Sequence, residues 1–157
     1  MANVLVINPN SNPTVTLGID EALTPLRSQE HNIRVINLEG TPFGIQSQSD
    51  VDSVAMPTAE RIRQENPNYD AFVIACFSDP GLYVSRELSA KPVFGIAQSG
   101  MLTALALGQA VGVISILSTS IARHWRFYRA LGLANMVVGD VAIDTPVAEL
   151  ADEDRVF

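Results

Sequence analysis

Three residues stand where apolar runs give way to loops, and their types suit proton transfer and hydrogen bonding: Asn8 after Val4 to Ile7, Cys76 after Ala71 to Ala75, and Ser115 within Val111 to Leu117. Cys76 is the only cysteine in the sequence. A thiol of ordinary pKa, about 8.5, becomes a competent base when nearby dipoles stabilise its thiolate. The turn that follows could supply them. Ser78, Gly81 and Leu82 keep backbone N–H groups beside a predicted helix start, where positive dipole ends favour a thiolate or an anionic substrate group. Pro80 supplies none. Each residue also has a structural explanation: turn chemistry for Asn8 to Asn12, a small buried hydrophobe for Cys76, a polar interruption of a strand for Ser115. Asp79 either caps the helix that follows it or orients the site by a polar contact.

The elements that must position these residues alternate between strand and helix. Val4 to Ile7 is short and β-branched, as a fully buried strand requires, and Asn12 can cap a helix whose first position is Pro13. Ile33 to Leu38 reads as a second strand and Thr41 to Gly44 as a loop. A helical stretch from Asp50 to Gln64 should restart at Pro57, which lacks the N–H needed to continue. Ala71 to Ala75 is the clearest strand, and a short helix containing Arg86 and Leu88 follows. Pro92 to Ile96 forms a strand, Met101 to Leu107 an apolar helix, Val111 to Leu117 a fifth strand, and Ser120 to Leu131 a helix closed by Gly132. Such alternation gives a parallel sheet, whose ligands bind beyond the carboxyl ends of the strands. Asn8, Cys76 and Ser115 should therefore point into one cleft.

Composition narrows the function. Hydrophobic residues make up 47% of 157, enough for a well-buried core. Seventeen acidic residues against ten basic ones leave a net charge of −7 without a basic stripe, which argues against nucleic acid as a partner. The stretch Arg123 to Arg129 mixes basic and aromatic side chains, but helical spacing spreads them around a solvated or subunit-contact helix. Two isolated histidines, His31 and His124, offer no metal-ligand spacing, and Asn-Pro-Asn-Ser after the first strand is no dinucleotide fingerprint. Met101 reads as core packing. The start lacks a charged n-region and a long apolar run, giving neither signal peptide nor membrane span and the expectation of a cytoplasmic protein.

Ile7-Asn-Pro-Asn-Ser11, Ala75-Cys-Phe-Ser-Asp-Pro-Gly-Leu82 and Gly95-Ile-Ala-Gln-Ser-Gly-Met101 together resemble the hydantoin and allantoin racemase branch of the aspartate/glutamate/hydantoin racemase superfamily. The resemblance implies an α/β protein of two parallel-sheet, flavodoxin-like lobes, here divided as residues 1–96, with Cys76, and 97–157, the beginning of a second lobe left incomplete. It implies an isomerase that inverts a carbon beside a carbonyl in a hydantoin, allantoin or amino-acid derivative, without pyridoxal phosphate, metal or other cofactor. Two cysteines, one from each lobe, would face opposite sides of that carbon. Cys76 matches the first of them. Asn8, Asn10, Ser11, Phe77, Ser78, Asp79, Gln98 and Ser115 fall at the substrate-binding positions, and a homo-oligomer acting on a small molecule, with neither nucleic acid nor membrane as partner, is implied.

The chain departs from the family pattern in residues that bear on substrate more than on fold. Ser78 stands for a usual glycine, Gln98 for an acidic residue, Ile116 for a second threonine, and Ser118-Thr119 for a Pro-Arg pair. No second cysteine is present. Thr145 to Phe157 reads as a loop entering an acidic first helical turn, so the expectation is a truncated chain, with roughly a third of a family-length protein absent. Two other functions fit a single thiol: a decarboxylase or cis-trans isomerase of the same superfamily, or a non-catalytic small-molecule binding module.

Overall fold

The computed structural model describes residues 2–149. Strand β1 (Ala2–Asn8) lies between β2 (His31–Asn37) and β3 (Ala71–Ile74), and β4 (Val93–Gly95) completes a four-stranded sheet of order β2-β1-β3-β4. Every pairing in it is parallel. This is the strand order with which a flavodoxin-like sheet begins. As the central strand, β1 buries Leu5, Val6, Ile7 and Asn8 in succession, because both of its faces are covered. Leu5, Ile7, Ile62, Phe72, Ile74 and Leu82 form the main core around it.

Helix α1 (Pro13–Ala22) starts as its sequence dictates: Pro13 occupies the first turn, and the Asn12 carboxamide accepts the N–H groups of Thr14 and Val15. Helix α2 (Gln48–Glu65) corrects the expected restart at Pro57 by running through that residue without a break. Val51 and Val54 before the proline and Ala59 and Ile62 after it are buried on one helix, so packing outweighs the lost backbone bond. The helix also begins earlier than expected, at a capping box in which Ser47 and Asp50 satisfy each other's backbone N–H groups.

Helix α3 (Leu82–Leu88) follows the cysteine turn, and α4 (Ile96–Leu107) leaves β4 directly, five residues before the expected start at Met101. Strand β5 (Val111–Ser115) does not extend the first sheet. It pairs in parallel with β6 (Val137–Ala142), a strand the sequence analysis omits. Helix α5 (Ile121–Ala130) covers that pair from one side, where Met101, Tyr128 and Val137 form a second core. Met101 is core packing, as expected. No helix among the described residues is long and apolar enough to cross a membrane.

Candidate active site

A cleft of about 240 Å³ opens where the carboxyl ends of the strands meet, lined by Asn8 and Asn10 from the first loop, Cys76, Phe77 and Ser78 from the second, and Ser115, Ile116, Ser120, Arg123 and His124 from the β5–α5 connection. Asn8, Cys76 and Ser115 thus border one cavity, as residues at parallel strand ends should. Among the sequence-selected residues, Ser11, Asp79 and Gln98 do not line it.

The asparagines mainly brace one another. Asn8 Nδ2 donates to Asn10 Oδ1 at 2.8 Å and to Thr16 Oγ1 at 2.9 Å, while Asn10 Oδ1 accepts the Asn12 N–H at 2.9 Å. Asn8 is 1% exposed, and its amide nitrogen is committed to the loop. Ser11 ties the same loop to Pro42 through its backbone N–H.

Cys76 packs against the Ile45, Val51 and Val54 cluster. Two of the three N–H groups expected to supply dipoles, those of Ser78 and Leu82, are committed within the turn. The N–H groups of Ser78 and Asp79 both donate to the Cys76 carbonyl, and that of Leu82 to the Asp79 carbonyl. Burial, reinforced by the negative charge of Asp79 and opposed by Arg123, pushes the Cys76 thiol up to about 12. In the unliganded protein it carries its proton.

Asp79 is a cap, though for α4 and not for the helix that follows it. Its carboxylate accepts the N–H of Ala97 at 2.9 Å and of Gln98 at 2.7 Å. The Gln98 side chain accepts from Arg86 at 2.8 Å, outside the cleft.

Arg123 and His124 also line the cleft, although their sequence context reads as a solvated or subunit-contact helix. Arg123 reaches Ser78 Oγ at 3.3 Å and Ser120 Oγ at 3.0 Å and pairs with no carboxylate within 4.0 Å among the described residues. It brings a guanidinium charge to Cys76, with Asp50 as a more distant counter-charge. His124 is buried against Phe77, with ring centroids 5.1 Å apart, and Tyr128 is buried on the same helix face. The i, i+4 spacing of His124 and Tyr128 was the available signal, because residues so spaced share a face. Ser115 Oγ is hydrogen-bonded to both His124 and Asp140. Among the described residues no group of three or more His, Cys, Asp or Glu is placed to hold a metal ion.

A family model described as Asp/Glu/Hydantoin racemase matches residues 4–156. A hydantoin racemase of Pseudomonas sp. (strain NS671) is 36% identical over 116 residues, covering 73% of this chain and 46% of that protein. One from Rhizobium meliloti is 31% identical over 145 residues, covering 83% and 60% respectively. The solved structure of an allantoin racemase from Klebsiella pneumoniae superposes with a TM-score of 0.92 at 28% identity, over 98% of this chain and 63% of that one. The chain thus spans about half to three-fifths of the length of these relatives.

Proposed function

The chain belongs to the Asp/Glu/hydantoin racemase family, and on that premise we propose that it contributes one wall of the active site of a cofactor-independent racemase acting on a hydantoin, allantoin or amino-acid derivative. The observation that carries this reading is the lone thiol of Cys76 at a strand end, inside a cleft that also holds Arg123. Removing the proton beside a carbonyl leaves an enolate, whose oxygen needs a cation or hydrogen-bond donors. Arg123 is the cation at hand. Cys76 enters as the acid, handing its S–H proton to one face of the carbon; in the reverse direction the thiolate, favoured by Arg123, takes a proton back. The opposite face requires a second acid/base group, which is no thiol of these 157 residues. The proposed proton transfer uses no cofactor, and the proposed boundary between lobes falls near residue 96, between Cys76 and the β5–α5 residues.

The single cysteine also favours a second reading, a decarboxylase or isomerase in which one thiol suffices. Single-enantiomer hydantoin in deuterated water separates the two. A racemase of the full-length protein should deposit deuterium mainly in the product of opposite configuration, and Cys76→Ser should suppress this while ligand binding survives. Normal exchange by a folded Cys76→Ser variant would remove Cys76 from the reaction.

A further inference from the structure

His124 opens onto the cleft from the first turns of α5, with its side chain only 7% exposed. Its Nδ1 lies 3.0 Å from Ser115 Oγ and 3.0 Å from Asp140 Oδ2. The Ser115 hydroxyl gives its own hydrogen to Asp140 Oδ1, and Asp140 Oδ2 also accepts from the Tyr128 hydroxyl at 2.9 Å. Both atoms that face Nδ1 are therefore acceptors, so Nδ1 carries the ring proton. A neutral imidazole has one N–H, which leaves Nε2 with a bare lone pair.

Burial keeps the ring neutral against the pull of Asp140, and the positive charge of Arg123 acts in the same direction as burial. Nε2 has no hydrogen-bond partner among the described residues, yet it is not among the polar atoms sealed from solvent. It is an acceptor held in one tautomer by Ser115, Asp140 and Tyr128, on a ring that lines the cleft. Excluding water from such an atom without replacing the lost hydrogen bond is costly. A ligand that displaces water from it is favoured by offering a donor in return.

We propose that His124 contacts the substrate, its Nε2 accepting a hydrogen bond from a ligand N–H of the kind carried by a hydantoin ring, ureido or carbamoyl group. The choice of ligand rests on the racemase reading above; the acceptor does not. Ser115, whose hydroxyl is committed to the cluster, and Asp140 then act as positioning residues that fix the tautomer.

The test uses the full-length protein with dimethylhydantoin, which has no hydrogen at the carbon to be inverted, and with its two N-methyl derivatives. His124→Asn keeps a donor toward Asp140 but removes the Nε2 acceptor. The wild type should prefer the parent over one N-methyl derivative by about tenfold, and His124→Asn should abolish that preference with little further loss for the methylated ligand. Nitrogen NMR of the unliganded protein should show Nδ1 protonated and Nε2 bare.

A proton on Nε2, equal weakening of all three ligands by His124→Asn, or no effect of the variant would overturn the proposal. So would failure of the wild type to bind any of the three. Retained binding preference without racemisation of a monosubstituted hydantoin by the wild type would sink the racemase reading and leave this contact standing.

Discussion

Gly95 and Asp79 meet so closely that a Cβ on Gly95 would lie 2.1 Å from the Asp79 carboxyl carbon and 2.4 Å from each of its oxygens. The same carboxylate holds the first N–H groups of α4, so the end of β4 and the start of the next helix are fixed by one contact. Gly95→Ala should displace the Asp79 side chain and cost roughly 1–3 kcal/mol, as overpacking does. Asp79→Ala should cost about 1 kcal/mol through the lost cap. Urea denaturation of both singles and the double variant checks the coupling. The alanine at 95 should be clearly less harmful once Asp79 is gone, and strict additivity would show that the two residues do not act through this contact.

Cys76 should be a slow nucleophile in the unliganded protein. With its thiol pushed from 9.0 up to about 12, the thiolate fraction near neutral pH falls roughly a thousandfold, and alkylation follows the thiolate. The iodoacetamide rate should rise about tenfold per pH unit and keep rising past pH ~9, the ordinary thiol range. Arg123→Gln removes the charge that favours the thiolate and should slow the reaction further. A rate that levels off at or below the ordinary thiol value would show that burial does not govern this group. The raised value also predicts that Cys76 gives no loss of stability below 9.0, whereas stability falls between there and about 12 as the unfolded chain ionises first.

Pro57 is exposed on the solvent side of α2, where it denies Ser53 the backbone donor of residue 57. The neighbouring Thr58 hydroxyl returns to the Val54 carbonyl at 2.7 Å, not to that of Ser53. Alanine is far better than proline in a helix interior, by about 3 kcal/mol, while losing proline frees the unfolded chain by up to about 1 kcal/mol. Pro57→Ala should therefore stabilise by roughly 1–2 kcal/mol and raise the melting temperature by several degrees. A lower melting temperature would mean that the proline suits a distortion the rest of α2 requires.

What could be read in advance depended on how local the cause was. The apolar run Ala71 to Ala75 marks its own strand, and the strand end places Cys76 without further information. Asp79 could be recognised as a cap, but its helix begins beyond Gly95, 18 residues away along the chain, and only the folded sheet brings that helix back. The continuity of α2 was hidden because burial on both sides of Pro57 is a tertiary effect. Strand β6 carries Gly139 and Asp140, poor strand formers, and these obscured its alternation. Without β6 there was no Asp140 to pair with His124, and a buried histidine read as one member of a basic surface helix.

That buried histidine should leave a trace in the acid limb of stability. Burial holds the His124 imidazole below 6.5, outweighing Asp140, which favours the charged form, and aided by Arg123, which disfavours it; Tyr128, Ser115 and Phe77 complete its surroundings. As pH falls through 6.5 the unfolded chain takes up a proton that the folded chain refuses. The contribution is thus fully present above that value and is lost between it and the lower native one. Urea midpoints measured at about pH 7.5 and about pH 5.5 should drop for the wild type and drop less for His124→Asn, which has no imidazole to charge in either state. Titration of carboxylates remote from residue 124 is common to both proteins and cancels in the comparison. Equal drops would show that His124 charges as readily folded as unfolded. The neutral tautomer assigned to it would then be wrong.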